Sequence, residues 1–345
     1  MIRIALDVMS GDLGAAECVP AALRALEADP DLHLQLVGVA PVIEAELISA
    51  PAHVLRRLEI VAASDVVTMT DAPREAIRRK KDSSMRRAVD LVREDRAQAV
   101  VSAGNTGALT AIAHFVLKCL PQVERAPIMS AVPNAKGLTH LLDLGANVRA
   151  TAMQLEQFAI MGAIVARDVH GVAQPRIGLL NIGVEETKGS DLVQEAHARL
   201  SAWATASPQR PFSYAGFAEG NDIFTGRFDV IVTDGFTGNV ALKTMEGVAR
   251  LVGVRLREEF SAGPASLLAG LVARPVLARV AASLDPRRYN GAVMVGLSRV
   301  VVKSHGSADR IALARAIGVA ATAVRGELVA HVAQALDPSG GYAPC

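Results

Sequence analysis

Two segments of this chain, 131 residues apart, carry the same residue types in the same order, and these types suit anion binding. Residues 100–109 and 231–240 each run from a β-branched strand through a Gly-x-Thr-Gly turn into a helical pattern. Glycine lets backbone N–H groups approach an anion, threonine can cap the following helix, and a helix N-terminus attracts phosphate. We therefore expect one cleft that binds a phosphate or a thioester oxygen. The alternative is two ordinary strand-to-helix turns.

A second pair of segments ends in a similar way. Residues 141–145 and 179–183 each join an aliphatic strand to an Asx residue, an aliphatic residue and a glycine. Ligands of open α/β sheets bind in the crevice outside the carboxyl ends of the strands. Four polar, glycine-bearing strand ends therefore favour a binding cleft.

The turns supply the first candidate side chains. We expect Asn105, Thr106, Thr237 and Asn239 to line the cleft, with simple turn roles as the alternative. Asp234 is expected to orient a donor or to act as a base, and a turn-forming role is the alternative.

Lysine is scarce in this chain, with 7 lysines against 29 arginines, and several lysines lie near the glycine-bearing motifs. Lys303 and His305 follow a run of valines, so we expect them at the site, although His305 could instead cap the last helix. Lys188 follows Glu185 and Glu186, so an ion pair on a solvated loop competes with phosphate binding. Lys136 and Lys243 give weak further support.

The composition restricts the class of protein. The 345 residues are 51% hydrophobic and only 3% aromatic, with a net charge of +1, so a nucleic-acid binder is not indicated. Three distant cysteines indicate a reducing cytoplasm, and the scattered histidines make a structural metal site improbable. The sequence shows no signal peptide and no uninterrupted apolar run long enough to span a membrane.

Alternating elements predict the fold. We expect strands at 2–7, 33–38, 58–62, 99–102, 128–132, 138–143, 177–181, 212–217, 228–233 and, as a strand or hairpin, 292–303. We expect helices at 16–28, 41–49, 73–94 with a break near 82–84, from the 102 turn to 118, 150–167, 192–204, 240–260 and 309–336. Short apolar strands between helices indicate a three-layer α/β/α fold with a largely parallel sheet. We then expect residues 1–336 to form a single catalytic unit, with a division into two lobes around a cleft as an alternative, and residues 337–345 to form a flexible tail.

Three familiar motifs are missing. No G-x-G-x-x-G follows a strand, the lysine at 188 precedes its glycine and so breaks the P-loop spacing, and no G-x-S-x-G elbow occurs. The sequence therefore indicates anion binding without an announced covalent nucleophile.

Nine ordered motifs resemble those of the bacterial phosphate acyltransferases of the PlsX type. They cover residues 6–12, 81–85, 102–108, 141–148, 179–183 with 188–189, 220–224, 234–240, 284–286 with 289–292, and 302–306. The resemblance extends from residue 2 to about 330. It implies a fold similar to that of phosphate acetyltransferase and isocitrate/isopropylmalate dehydrogenase, and a homodimer.

The resemblance also implies a reaction, in which acyl-[acyl carrier protein] and inorganic phosphate give acyl phosphate and free carrier protein. The product would feed a glycerol-3-phosphate acyltransferase at the start of phospholipid synthesis, in the cytoplasm with peripheral membrane contact. Phosphate attack on a thioester needs an anion cradle and stabilisation of an oxyanion, but no enzyme nucleophile, metal or cofactor. The catalytic residues it suggests are Lys188, Asp234, Asn239, Lys303 and His305. The phosphate- or substrate-binding residues are Asp7, Gly11, Ser102, Gly104, Asn105, Thr106, Gly107, Asn147, Gly183, Thr237 and Gly238.

The chain departs from the family pattern at three places. Ser10 stands where glycine is expected, which should alter the first turn only slightly. Arg149 and Ala150 replace an acidic residue and a cysteine, and Ser190 replaces an asparagine.

Two surface segments have expected partners. The basic run at 74–87 is expected to dock the acidic carrier protein through Arg78, Arg79, Lys80 and Lys81, with a solvated helix face as the alternative. Residues 266–284 are apolar but interrupted by Arg274 and Pro275, so we expect two short helices that cannot span a bilayer. Their exposed side chains would contact a membrane interface or a second subunit: Leu267, Leu268, Leu271 and Val272.

Two other functions remain open. A phosphotransacetylase acting on short acyl-CoA would use the same chemistry on a different thiol. A non-catalytic membrane scaffold for lipid synthesis belongs to another class, and it would retain its role after Lys303 and Asn239 are changed. A hydroxy-acid dehydrogenase would need a carboxylate cluster for a metal, which the sequence does not present.

Overall fold

A computed structural model describes residues 1–205 and 212–337 of the chain. The strands are β1 (Ile2–Asp7), β2 (Leu32–Gly38), β3 (Leu58–Ala62), β4 (Ala99–Ser102), β5 (Ile128–Asn134), β6 (Gly137–Leu142), β7 (Arg176–Leu180), β8 (Ser213–Ala218), β9 (Val230–Val232), β10 (Ala292–Met294) and β11 (Val300–Lys303). The helices are α1 (Ala15–Ala28), α2 (Ala40–Leu47), α3 (Ala52–Leu55), α4 (Pro73–Arg79), α5 (Ser84–Arg93), α6 (Thr106–Leu117), α7 (Ala152–Asp168), α8 (Asp191–Thr205), α9 (Gly235–Ser261), α10 (Pro264–Ser283), α11 (Arg310–Arg325) and α12 (Leu328–Leu336). Gly220–Phe224 and Pro286–Tyr289 are short 3₁₀ turns.

In the described part of the chain, the strands form one 11-stranded sheet in the order β3-β2-β1-β4-β11-β10-β5-β6-β9-β7-β8. Most neighbouring pairs are parallel, whereas β10 is antiparallel to both β11 and β5, and β5 is antiparallel to β6. Strands β1–β5 and β11 therefore run one way, and β6–β10 run the other way. The two echoing turns follow β4 and β9, so they do not share one edge of a parallel sheet.

Strand residues alternate between two hydrophobic cores, one on each face of the sheet. Val101 of β4 faces the core formed with α1, α7, α8, α11 and α12, and Val100 faces the core formed with α4, α5 and α6. Val302 and Val301 of β11 divide in the same way. This period of two confirms the predicted three-layer α/β/α architecture.

Three predicted helices differ from the structure. The helix predicted at 309–336 is two helices, α11 and α12, which meet at an angle of 56° around Gly326 and Glu327. Helix α9 starts at Gly235, five residues earlier than predicted, because Asp234 caps it. The predicted break at Pro275 is wrong, since α10 continues through this proline, as α1 continues through Pro20.

Helices α9 and α10 pack against each other and form a hairpin whose surface is mostly exposed. Among described residues, α9 buries only Gly235 and Gly238, and α10 buries none. The segment Pro264–Tyr289 is long and apolar enough to cross a membrane by length and composition, which corrects the expectation drawn from Pro275.

Two neighbouring histidines, His140 in β6 and His170 just after α7, are expected to make stability depend on pH. Buried His140 donates from Nδ1 to the Asp229 carbonyl at 2.8 Å, and its ring lies 4.3 Å from that of His170. Burial lowers the pKa of both imidazoles, to about 3 for His170, where His140 and Arg315 act in the same direction. Both rings are therefore neutral in the fold, whereas the unfolded rings take up protons below pH 6.5.

We therefore expect the free energy of unfolding to fall as the pH falls below 6.5. For His170, a fully neutral folded ring at pH 5 corresponds to a loss of about 2 kcal/mol relative to pH 7. Urea unfolding of the wild type and of His170→Phe, which keeps an aromatic ring without a proton site, measures the difference. Equal losses in the two proteins between pH 7 and pH 5 would contradict this origin of the acid sensitivity.

Candidate anion-binding site

Three neighbouring strands end at the same place and bring the first group of candidate residues together. The register pairs Asp7 of β1 with Ser102 of β4, and Ser102 with Lys303 of β11. In each strand the residues just before the last one are apolar and buried, and the last residue is polar. Because the three strands are parallel and in register, these three polar side chains lie side by side at the carboxyl ends of the strands. We call the region formed by the strand ends and residues 103–107 the α6 turn site.

Two serine hydroxyls fix the backbone of this site. Ser102 Oγ donates to Asp7 Oδ2 at 2.7 Å and accepts from the Gly104 N–H at 3.1 Å. Ser10 Oγ donates to the Asp7 carbonyl at 2.7 Å and accepts from the Ala103 N–H at 2.9 Å. Ser10, the first departure from the family pattern, thus holds the turn that precedes α6.

The beginning of α6 provides N–H groups for an anion. Asn105 caps the helix by accepting from the Ala108 N–H at 3.0 Å, and its amide donates to the carbonyls of Met69 and Asp71. Asn105 rather than Thr106 therefore caps the helix, which corrects the expectation for Thr106, and the Asn105 side chain also takes the turn role that was given as its alternative. Within the described residues, the N–H groups of Thr106 and Gly107 have no recorded partner, and both residues are exposed. They are the donors that a phosphate at this helix terminus would use.

Lys303 supplies a positive charge beside the same turn. The side chain is buried, at 8% exposure, and its ammonium donates to the Ala103 carbonyl at 3.3 Å and also contacts the Ser304 carbonyl. An ammonium has three N–H donors, so one is left for an anion. Burial lowers the pKa of Lys303 to about 8, while Asp7 and Asp12 oppose the shift and Lys243 adds to it.

The Asp7 carboxyl group lies behind Lys303 and is completely enclosed. Burial raises the pKa of Asp7, and the nearby hydroxyls of Ser84, Ser102 and Ser10, of which Ser102 hydrogen-bonds the carboxylate, oppose this shift. Its Oδ1 is buried without a hydrogen-bond partner in the described chain. Asp7 thus faces the serine network and positions Ser102, and it does not contact solvent.

Close backbone packing explains the glycines of this site. Gly11 has φ +80°, and a Cβ atom on it would lie 2.9 Å from the Gly306 carbonyl oxygen. A Cβ atom on Gly104 would lie 2.5 Å from Met85 Cε. Gly11 therefore allows the loops after β1 and β11 to meet, whereas the contact at Gly104 is with the end of a flexible side chain.

His305 lies at the outer side of the site and has a defined tautomer. The Ser307 N–H can only donate, and it points to His305 Nδ1 at 3.3 Å, so the ring proton is on Nε2. Nε2 faces Glu246 Oε1 at 3.9 Å, and burial lowers the pKa of this imidazole. His305 is therefore a neutral Nε2–H donor that also reaches helix α9.

The second echoing turn is already occupied by its own side chains. Asp234 caps α9 and accepts from the N–H and the hydroxyl of Thr237, at 2.9 and 2.7 Å. The Gly235 N–H donates to the Asn147 carbonyl at 2.9 Å, and the Gly238 N–H donates to the Asp234 carbonyl at 3.0 Å. The structure therefore supports the turn-forming role of Asp234, and this helix terminus offers fewer free donors than α6 does.

Asp143, at the end of β6, has a structural role, because its buried carboxylate holds the loop that follows the strand. Asp143 accepts hydrogen bonds from the N–H groups of Ile128, Gly145, Ala146 and Asn147 and from the Asn147 side chain. Burial raises the pKa of its carboxyl group, and these donors oppose the shift. Asn147 also donates to the Ala126 carbonyl at 3.2 Å, so its predicted role in phosphate binding is replaced by a structural one. Asn239 remains exposed at the start of α9.

The loop after β7 lies apart from these contacts. Lys188 forms an ion pair with Glu185 at 3.4 Å, and both side chains are about half exposed or more, at 49% and 58%. A Cβ atom on Gly183 would lie 2.7 Å from the Glu185 carboxylate. The structure therefore favours the solvated ion pair over the catalytic role predicted for Lys188.

The basic segment at 74–87, which was predicted to dock the carrier protein, contains one lysine that is bound within the fold and several cations that are exposed. Lys80 is bound within the fold, since it donates to the Val66 carbonyl at 2.6 Å and pairs with Asp71 at 2.7 Å. This corrects its expected docking role. Three of the four predicted docking residues are exposed: Arg78, Arg79 and Lys81.

The sequence did not single out several residues that complete the site. Ser84 contacts Asp7, and Asn290 donates to Ser304 Oγ at 2.7 Å and accepts from the His305 N–H at 3.1 Å. Lys243 and Glu246 reach the site from α9. The sequence signals for them were the motifs at 81–85 and 289–292, which contain Ser84 and Asn290, and the scarcity of lysine, which pointed weakly to Lys243. Among residues 1–205 and 212–337, no group of three His, Cys, Asp or Glu side chains is arranged to hold a metal ion.

Solved structures with a similar fold include phosphotransacetylases and dehydrogenases. The EutD phosphotransacetylase from Staphylococcus aureus superposes with a TM-score of 0.60, at 15% identity, covering 94% of both chains. A phosphotransacetylase from Streptococcus pyogenes also gives a TM-score of 0.60 at 15% identity, covering 93% of both chains. At this identity the likeness establishes the fold, a three-layer α/β architecture with a mostly parallel sheet.

Sequence relatives extend over nearly the whole chain. A family profile described as "Fatty acid synthesis protein" matches residues 2–331. The phosphate acyltransferase of Alkalilimnicola ehrlichii is 48% identical over 97% of this chain and 96% of its own. The phosphate acyltransferase of Methylococcus capsulatus is 50% identical over 93% of this chain and 92% of its own. The chain therefore belongs to the fatty acid synthesis protein family of PlsX-type bacterial phosphate acyltransferases, and it is an acyltransferase.

Proposed function

We propose that this enzyme converts acyl-[acyl carrier protein] and inorganic phosphate into acyl phosphate and free carrier protein. The observation that carries the proposal is the α6 turn site, where the free N–H groups of Thr106 and Gly107 lie on a turn contacted by the Lys303 ammonium. These groups suit a bound phosphate, and the burial of Lys303 strengthens the electrostatic effect of its ammonium.

The reaction needs no covalent intermediate on the enzyme. An oxygen of the bound phosphate attacks the thioester carbonyl, the carbon–sulfur bond breaks, and the thiolate takes up a proton. The attacking hydrogen phosphate loses its proton as the new carbon–oxygen bond forms, and this is the proton that the thiolate takes up. The neutral Nε2–H of His305 lies at the rim of the same site and is suited to donate a hydrogen bond to the developing oxyanion. Positioning of the two reactants then provides most of the rate.

The thioester carrier is tested by comparing three substrates in the presence of phosphate: palmitoyl-[acyl carrier protein], palmitoyl-CoA and acetyl-CoA. The proposal predicts the highest kcat/KM for the carrier-bound thioester. Activity on acetyl-CoA alone would assign the enzyme to the phosphotransacetylase alternative. Inactivity on all three thioesters would favour the membrane scaffold.

The product and place of action complete the proposal. Acyl phosphate is a reactive acyl donor, and a glycerol-3-phosphate acyltransferase would consume it in phospholipid synthesis. We place the enzyme in the cytoplasm, as a homodimer with peripheral membrane contact. The support for membrane contact is the α9–α10 hairpin, where Leu267, Leu268, Leu271 and Val272 are between 59% and 74% exposed.

The substitution Leu268→Glu should release the enzyme from lipid vesicles while leaving it folded, because it places a charge on an exposed apolar helix face. Co-sedimentation with anionic vesicles measures the bound fraction. Ala330→Glu on exposed α12 adds the same charge outside the hairpin and should not change binding. Unchanged co-sedimentation of Leu268→Glu, together with a change from dimer to monomer, would assign this face to the dimer contact instead.

A further inference from the structure

The far end of helix α6 presents an aromatic side chain surrounded by cations. Phe115 is 54% exposed, the Lys118 ammonium lies 5.2 Å from its ring centroid, and the Arg86 guanidinium lies 5.7 Å from it. Burial and then the Arg125 charge lower the pKa of His114, and the same charge opposes the burial that raises the pKa of Cys119, so Arg125 lies in the same region. We call Arg86, Phe115, Lys118 and Arg125 the α6 patch.

The charges of this patch are largely uncompensated. Arg86 pairs with Asp90 at 3.0 Å, whereas Lys118 and Arg125 form no ion pair within the described residues. The neighbouring Glu124 carboxylate accepts from the uncharged Gln154 side chain at 2.9 Å and keeps its negative charge, but it forms no ion pair with Arg125 in the described part of the chain. A positive surface with a central exposed aromatic ring matches an acidic protein partner, since aromatic and arginine residues are common anchors in interfaces.

Lys118 occupies a backbone conformation that lysine rarely adopts. Its φ is +65° and its ψ is 166°, at the C-cap of α6, in a region of backbone space that is essentially limited to glycine. Glycine is also the residue that helix ends most often place after their last turn. A strained lysine where glycine would fit better indicates that the side chain itself is used.

The α6 patch and the α6 turn site are connected by the same helix. Helix α6 begins at the Thr106 and Gly107 donors and reaches Phe115 nine residues later, which corresponds to about 14 Å along the helix axis. A protein docked on the patch would therefore hold a tethered thioester within reach of the α6 turn site.

We infer that the α6 patch is the docking surface for the acidic acyl carrier protein. This inference rests on the proposed function, because it names the surface on which the proposed carrier binds. The exposed cations of α4, which packs against α6, add to the positive charge on the carrier's approach.

The substitution Lys118→Gly tests the α6 patch without destabilising the fold. It removes the cation and relieves the strained backbone, so thermal stability should be equal to that of the wild type or higher. The Kd for fluorescently labelled, unacylated holo carrier protein should increase about fivefold, as expected for loss of one interface charge, and about tenfold for Phe115→Ala. Lys136→Gly, which removes an exposed lysine from the β5–β6 turn, should leave the Kd unchanged.

The outcomes separate the inference from the proposed function. If the wild type binds the carrier protein and both α6 variants bind it equally well, the docking surface lies elsewhere and the function stands. If the wild type neither binds the carrier protein nor uses its thioester, the proposed function fails. Weaker binding in both variants, with unchanged kcat/KM for palmitoyl-CoA, supports the α6 patch.

Discussion

Replacing Lys303 with methionine should lower kcat/KM for phosphate by about 100- to 1000-fold, the effect expected when a buried charged donor to an anion is removed. The methionine fills a similar volume in an 8% exposed position, and it removes a buried charge whose solvation is costly. The variant should therefore remain folded, so that loss of rate reflects the site. Steady-state kinetics with varied phosphate measures the effect.

Lys188→Met is the matched control for this substitution. Lys188 pairs with Glu185 on an exposed loop, and surface ion pairs contribute little. Its activity should remain within about threefold of the wild type, since only a screened surface interaction is lost. An equal loss in both variants would contradict the selection of Lys303 over Lys188 as the phosphate-binding lysine.

The same lysine sets an upper pH limit for phosphate binding. Because burial lowers the pKa of Lys303 to about 8, the ammonium is present below that value and is lost as the pH rises through it. The KM for phosphate should therefore increase above about pH 8, and the Lys303→Met variant should lack this step. A flat KM from pH 7 to pH 9.5 in the wild type would contradict the assignment.

The second large effect concerns the turn that leads into α9. Replacing Gly238 with alanine would place a Cβ atom 1.9 Å from the Asp143 carbonyl oxygen, which is backbone and cannot rotate away. We expect the free energy of unfolding to fall by about 3 kcal/mol or more, or the chain to fail to fold. Urea unfolding followed by circular dichroism measures the change.

The substitution Gly247→Ala on the same helix should change the free energy of unfolding in the opposite direction. This glycine is exposed, and a Cβ atom on it meets nothing within 4 Å. Alanine should increase the free energy of unfolding by about 0.5–1 kcal/mol through its higher helix propensity. Equal stabilities of the two variants would show that the packing of α9 on Asp143 is looser than the structure indicates.

The positions of the strands and helices were predicted better from the sequence than the pairing of the strands in the sheet. Strand β4 was expected at the residues where it occurs, because a short continuous apolar run between turn residues is a strong local signal. The reversal of direction at β10 depends on which strands pair, and β5 and β6 were predicted as strands without that information. For this reason the two echoing turns were expected together, and the structure separates them.

Local rules also failed where distant contacts decide the outcome. Both Asn105 and Thr106 can cap a helix, and Asn105 does so while it also holds the carbonyls of Met69 and Asp71. Lys188 and Lys303 have the same chemistry in sequence, and only burial beside the α6 turn distinguishes them. Pro275 ends most helical patterns, yet α10 continues through it. These outcomes depend on tertiary contacts, which the conformational preferences of single residues do not predict.

The transfer of phosphate itself tests the central claim most directly. Wild-type enzyme is incubated with palmitoyl-[acyl carrier protein] and radiolabelled inorganic phosphate, and the label in acyl phosphate is compared with the free carrier protein released. We predict equal amounts of labelled acyl phosphate and free carrier protein, and formation of both products by Lys303→Met at a rate about 100- to 1000-fold lower at low phosphate. Carrier release without label in an acyl phosphate would contradict the account, because the acyl group would then have gone to water.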